Sequence, residues 1–151
     1  MRKLFFFITL TTILFACGSN NADQPVTDED SLSEQPFYWQ SYLDDSTGKI
    51  EYRKLPANDT LSTHNVLYYL NKSYSNIRLE LKYVSGDTVF LRIPDAMYLT
   101  QQMGSTGPMI YLSEVVYNFT EITGIKEVNL EFEEGDHATP GTYNRNSFAK
   151  E

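Results

Sequence analysis

The sequence predicts an α+β two-layer sandwich in the order β-β-α-β-β-α-β, with its helices on one face of a mainly antiparallel sheet. Three observations lead there. Short runs such as IRLELKYV, TVFLRIP and EVNLEF alternate apolar and polar residues, the period of half-buried strands. Turn signals, Gly48 in DDSTGK and Ser85-Gly86-Asp87, join such runs into hairpins. A longer segment after Pro108 carries apolar residues at helical spacing.

The elements follow in order. FYWQSYL, 37–43, is aromatic-rich and fits a strand, and IEYRKL alternates, so 37–43 and 49–55 read as a hairpin. Pro56 to Thr60 breaks the pattern. Ser62 or Thr63 is placed to cap a short helix over 64–72, with Val66, Leu67 and Leu70 on its apolar face. In the second hairpin Ile77, Leu79, Leu81 and Tyr83 are expected to share one face, as are Val89, Leu91 and Ile93, and Pro94 stops the strand. Residues 95–107 form a long connection. Pro108 suits a first helical turn, and Ser105 or Thr106 lies close enough to cap it. This helix should run to about Thr123 with Met109, Leu112, Val116 and Phe119 on its stripe. Gly124 is the expected left-handed residue after it, and Ile125 packs back. Val128, Leu130 and Phe132 make the last strand. The polar tail 133–151 reads as a loop and a loose end.

Composition narrows the function. The chain has 151 residues, 12 Lys+Arg against 20 Asp+Glu, and a formal net charge of −8, which suits one domain. An acidic balance argues against nucleic-acid binding, which needs clustered basic charge. One cysteine excludes an internal disulfide and a cysteine zinc cluster.

The N-terminus differs from the rest. MRKLFFFITLTTILFA starts basic and continues apolar, the layout of a secretory signal peptide. It ends Leu14-Phe15-Ala16-Cys17, which resembles the bacterial lipobox. The resemblance implies cleavage after Ala16, diacylglyceryl attachment to Cys17 and acylation of the new N-terminus. The alternative is an ordinary cleavable signal beside an incidental cysteine. Loss of residues 1–16 removes Arg2 and Lys3 and leaves 135 residues with net charge −10. The expected organisation is therefore a signal peptide at 1–16, an acylated Cys17 with a disordered tether at 17–36, and a domain at 37–151. The tether is acidic, so acyl chains and not charge would hold the membrane. Cell-envelope localisation follows, with the domain facing the periplasm or the exterior.

Three segments together resemble the GerMN (sporulation and spore germination) domain. They are the hairpin VSGDTVFLRIP, the Gly-Ser-Thr-Gly lead-in to YLSEVVYNFTEITGIKEV, and the acidic strand NLEFEEGD. Thr120-Glu121 and Gly124-Ile125 fall at the expected spacing, and the likeness spans 61–135. Asn71-Lys72-Ser73 stands where the family has a glycine-proline helix ending. The resemblance implies envelope proteins, often lipid-anchored, tied to cell-wall or spore-related processes. It also implies a fold similar to ring-building modules of secretion systems. It brings no catalytic residues.

Catalytic patterns are sparse. His64 and His137 are the only histidines. Asp136-His137 with Glu133 and Glu134 is a candidate metal cluster, but adjacent loop residues rarely converge on one ion. Ser105 and the pair Ser113-Glu114 have no base nearby in sequence, and no GxSxG elbow exists. Gly104 to Pro108 before a helix is a candidate phosphate cradle, without the lysine of a P-loop. Glu131, Glu133 and Glu134 are candidate paired carboxylates for glycan hydrolysis. NDT, NKS and NFT match glycosylation acceptors, which a bacterial lipoprotein makes irrelevant. Tyr38, Trp39, Tyr42, Tyr52, Tyr68, Tyr69, Tyr74, Tyr98, Tyr111 and Tyr117 are too many for one core, so some should be exposed for contact with protein or glycan. The expectation is a non-enzymatic envelope lipoprotein whose domain binds a protein partner or itself, head-to-tail through free sheet edges. No cofactor or metal is expected. A peptidoglycan-binding or peptidoglycan-processing protein is the alternative.

Overall fold

Strand β1, Phe37–Asp44, pairs antiparallel with β2, Lys49–Pro56, in register Phe37↔Pro56 to Asp44↔Lys49. Gly48, with φ 67, closes their turn. The structure, a computed structural model, describes residues 36–149. Cys17 and the expected signal and tether lie outside the described residues.

Helix α1, Thr63–Ser73, starts where Ser62 accepts the Asn65 amide on its side chain, and it buries Val66 and Leu70. Strands β3, Glu80–Ser85, and β4, Thr88–Arg92, form the second hairpin around Gly86. A π-helical turn at Tyr98–Gln102 leads to α2, Gly107–Phe119. Strand β5, Glu127–Glu131, lies parallel to β4, and β6, Gly141–Tyr143, lies antiparallel to β5. Parallel neighbours need a long crossover, and the chain between β4 and β5 supplies it. A short 3-10 turn, Arg145–Phe148, ends the fold.

The α+β sandwich is present, but its strands divide into two sheets, β1-β2 and β3-β4-β5-β6. On the larger sheet Val89, Leu91, Val128 and Leu130 are buried, and Phe119, Val116 and Leu70 join them in one core. The β1–β2 hairpin packs against α2 and not beside β3. This explains a helix with little polar surface: α2 buries Leu112, Val115 and Val116 but also Ser113, Glu114 and Asn118.

Four local expectations need correction. Leu81 and Tyr83 do not share a face, because the β3 register shifts between them. The bulge sends Tyr83 onto the outer face to stack on Phe90 at 4.5 Å. Helix α2 ends at Phe119 and not near Thr123. The Thr120 amide and hydroxyl take the Val116 carbonyl, and Arg145 takes that of Tyr117. Gly124 still has φ 91, and Ile125 is buried. No side chain caps the α2 start: Thr106 occupies the cap position in an α conformation. Finally, the described part of the tail, 133–149, is not a loose end. Tyr143 and Phe148 stack at 5.8 Å, Phe148 is buried, and Gly135 bridges Ala138. Two aromatics, the β6 pairing and the Arg145 hydrogen bonds tie it down.

Candidate functional site

The richest polar site lies between α2 and the hairpin. Glu114 and Asn118, four residues apart, share one face of α2, and Glu121 follows in the turn just past its end. Strand β1 runs along that face. The Trp39 amide donates to Asn118 Oδ1 at 2.8 Å, and Asn118 Nδ2 donates back to the Trp39 carbonyl at 2.8 Å. The side-chain amide thus stands in for a neighbouring strand. The Ser41 amide donates to Glu114 Oε2 at 2.9 Å, and Tyr74 Oη donates to the same oxygen at 3.0 Å. Trp39 Nε1 donates to Glu121 Oε2 at 3.0 Å, and Arg145 reaches that oxygen at 2.5 Å.

Glu114 is only 1% exposed and has no ion-pair partner among the described residues. Burial pushes its carboxyl above the ordinary value of 4.5, although hydrogen bonds from Ser41, Tyr74 and Tyr69 resist the shift. The tyrosines respond in turn. Tyr69 is pushed up to about 12 by burial and by the nearby carboxylate, and Tyr74 and Tyr111 are pushed up further for the same reasons. The Tyr111 hydroxyl is buried with no hydrogen-bond partner. Ser113 Oγ donates to the Ile110 carbonyl at 2.9 Å and meets Ser41 Oγ at 3.1 Å. So Ser113 and Glu114 do gather near a second serine, but the group is enclosed and has no histidine.

Aromatic rings frame this seam. Tyr38 stacks on Tyr69, and Tyr52 on Tyr117, each at 4.2 Å. Arg145 lies over the Trp39 and Tyr117 rings, and Lys54 over Phe37. Burial works against charge on Glu121, but bonds from Trp39 and Arg145 and the cationic charges outweigh it, so its pKa falls.

The other sequence candidates are dispersed. His64 is exposed on α1, and His137 is exposed with its backbone amide on the Thr100 carbonyl. Glu133, Glu134 and Asp136 are exposed, and no group of three potential metal ligands forms among the described residues. Glu131 pairs with Lys82 at 2.5 Å on the outer face of the sheet. Ser105 is exposed in the lead-in to α2. Of the expected aromatic surplus, Tyr42 and Tyr68 are exposed, whereas Tyr38 and Tyr111 are buried.

A second surface feature is a groove of about 770 Å³ between α1 and the β3 edge, lined by His64, Leu67, Asn71, Arg78, Glu80 and Leu81. Asn71 repeats the role of Asn118: it takes both the amide and the carbonyl of Leu79. Tyr68, 65% exposed, adjoins the groove-lining Leu67; Tyr83 and Val84 are also exposed on β3, on opposite faces of the strand. Sequence reasoning missed Asn71 and Asn118. The signal for Asn118 was there: Glu114 and Asn118, four residues apart, interrupt a largely apolar helix on one face.

Comparison with protein-family models, with curated proteins and with solved structures returned no match for this chain.

Proposed function

We propose that the chain is a non-enzymatic cell-envelope lipoprotein, anchored through Cys17, whose GerMN-like α+β domain acts as a protein-interaction or self-assembly module. The observation that carries this is the α1–β3 side. Leu81, 39% exposed, lines the groove beside α1, and Tyr68, the most exposed large hydrophobic residue among those described, follows the groove-lining Leu67 on that helix. Exposed tyrosine beside apolar surface is typical of residues that dominate protein interfaces.

The edges bear on how contact would occur. The outer edge of β1 is taken by Asn118 and Glu114. The β3 edge is bulged and held at Leu79 by Asn71, and β6 has three residues. Such edges resist strand addition. Side chains of the α1–β3 surface are therefore a better docking route than strand pairing at these three edges, which leaves the outer edge of β2 as the one for head-to-tail pairing.

Sedimentation and crosslinking of the full chain in envelope extract test the proposal. Association is expected, and Tyr68→Ala should weaken it about tenfold without changing stability. Strictly monomeric behaviour with no crosslinked partner would refute it. Co-sedimentation with purified peptidoglycan instead would favour the peptidoglycan-binding alternative.

A further inference from the structure

We infer that two carboxylates of opposite pH sense clamp the β1–β2 hairpin to the helices, so that it docks most tightly in mildly acidic solution and loosens as pH rises. The inference does not depend on any partner.

The clamp has two jaws on one strand. At Ser41 the backbone amide is held by Glu114; at Trp39 the indole is held by Glu121. Their surroundings are opposite. Glu121 faces Trp39 from β1, Lys54 from β2 and Arg145 from the C-terminal turn, so cations favour its charged form. Glu114 faces Ser41 from β1, Tyr69 from α1, Tyr74 at the α1 end and Tyr111 from its own helix. The nearest basic influence on that cluster is Arg53, which acts on Tyr69. Among the described residues no cation pairs with an ionised Glu114.

Charge therefore helps one jaw and strains the other. The Glu121 jaw is complete above the ordinary glutamate value and is lost as pH falls through its lowered pKa. The Glu114 jaw contributes fully below 4.5 and is lost as pH rises through its raised pKa. When neutral, Glu114 keeps a carbonyl oxygen to accept the Ser41 amide and gains a proton to donate. Tyr111, the buried hydroxyl without a partner, lies in the field of that carboxyl. When Glu114 ionises, the unpaired charge is relieved by admitting water at the seam. The stacked pairs Tyr38–Tyr69 and Tyr52–Tyr117 are what that seam uncovers.

Hydrogen exchange of the Ser41 amide and the Trp39 indole N–H in the full chain reads the two jaws, as protection factors between about pH 2 and about pH 8. Protection at Ser41 should pass through a maximum near the acid end, then fall about tenfold for each pKa unit by which docking raises Glu114. In Glu114→Gln the decline at higher pH should vanish while the acid-side decline remains; in Glu121→Gln the acid-side decline should vanish. Flat Ser41 protection in the wild-type chain, or a decline unchanged in Glu114→Gln, would overturn the inference. Should Glu114→Gln not fold, carbon NMR titration of the Glu114 carboxyl in the wild-type chain decides. Titration above the ordinary glutamate range supports the clamp, and titration at or below it overturns the clamp.

Discussion

Asn118 shows how one side chain substitutes for secondary structure. A β-strand edge buried against a helix would leave its backbone groups unpaired, and each orphan costs about 1–3 kcal/mol. Asn118 supplies one acceptor and one donor to Trp39, and its second amide hydrogen goes to the Glu114 carbonyl. Asn118→Ala should therefore destabilise by about 2–4 kcal/mol, read as a lower denaturant midpoint at unchanged slope. Tyr111 presents the contrasting case. Its ring is fully buried against Tyr74 at 4.9 Å, but its hydroxyl has no partner. Tyr111→Phe keeps the ring and removes the orphan, and a gain of about 1 kcal/mol is expected in the same measurement. A loss of that size would mean that the hydroxyl is satisfied by water.

At the scale of elements, what was legible depended on whether a pattern was local. The hairpin around Gly86 and the Ser62-capped helix α1 follow from alternation, turn residues and one capping side chain, all within a few positions. The β3 bulge was invisible because one extra residue, Lys82, changes the face of everything after it while the sequence still alternates. The role of Glu114, Asn118 and Glu121 needed knowledge of what lies across from them, and that is a strand about 80 positions away. Close approach between distant segments is similarly silent. Gly135 has ordinary backbone angles, yet a Cβ there would sit 2.6 Å from Thr100 Cβ and 2.7 Å from its Oγ1. Thr100 cannot give way, because it is β-branched and buried, and its hydroxyl holds the Ala96 carbonyl. Gly135→Ala should cost about 1–3 kcal/mol through overpacking alone. Gly104→Ala, at φ 70 in open space, should cost about 1 kcal/mol through backbone strain alone. Denaturation midpoints in a double-mutant cycle separate the causes if Thr100→Gly, which removes the clashing Cβ, rescues the first variant and leaves the second unchanged.

Across the whole described fold, the C-terminal turn is the piece that ties the layers together. β6 extends the larger sheet. Arg145 then donates to the Tyr117 carbonyl and Thr120 Oγ1 at the end of α2 and to Glu121, which in turn holds Trp39 of the hairpin. Phe148 buries its ring, and its carbonyl accepts from Tyr52 of β2. Arg145 therefore connects the helix end to the hairpin through a planar fork of donors that lysine cannot reproduce. Trp39 is the only tryptophan of the chain, so its fluorescence reports the hairpin while far-UV circular dichroism reports the whole. In the wild-type chain the two should lose signal at the same denaturant concentration, as one cooperative unit does. In Arg145→Ala the Glu121 carboxylate loses its cation and the helix end loses two hydrogen bonds, while the sheet core of Val89, Leu91, Val128 and Leu130 is untouched. The fluorescence transition should then move to lower denaturant than the dichroism transition, by an amount equivalent to about 1–3 kcal/mol. Arg145→Lys should fall between the two, because it restores charge without the fork. Coincident transitions in Arg145→Ala, shifted together or not at all, would mean that the hairpin is held by ring stacking and Asn118 alone.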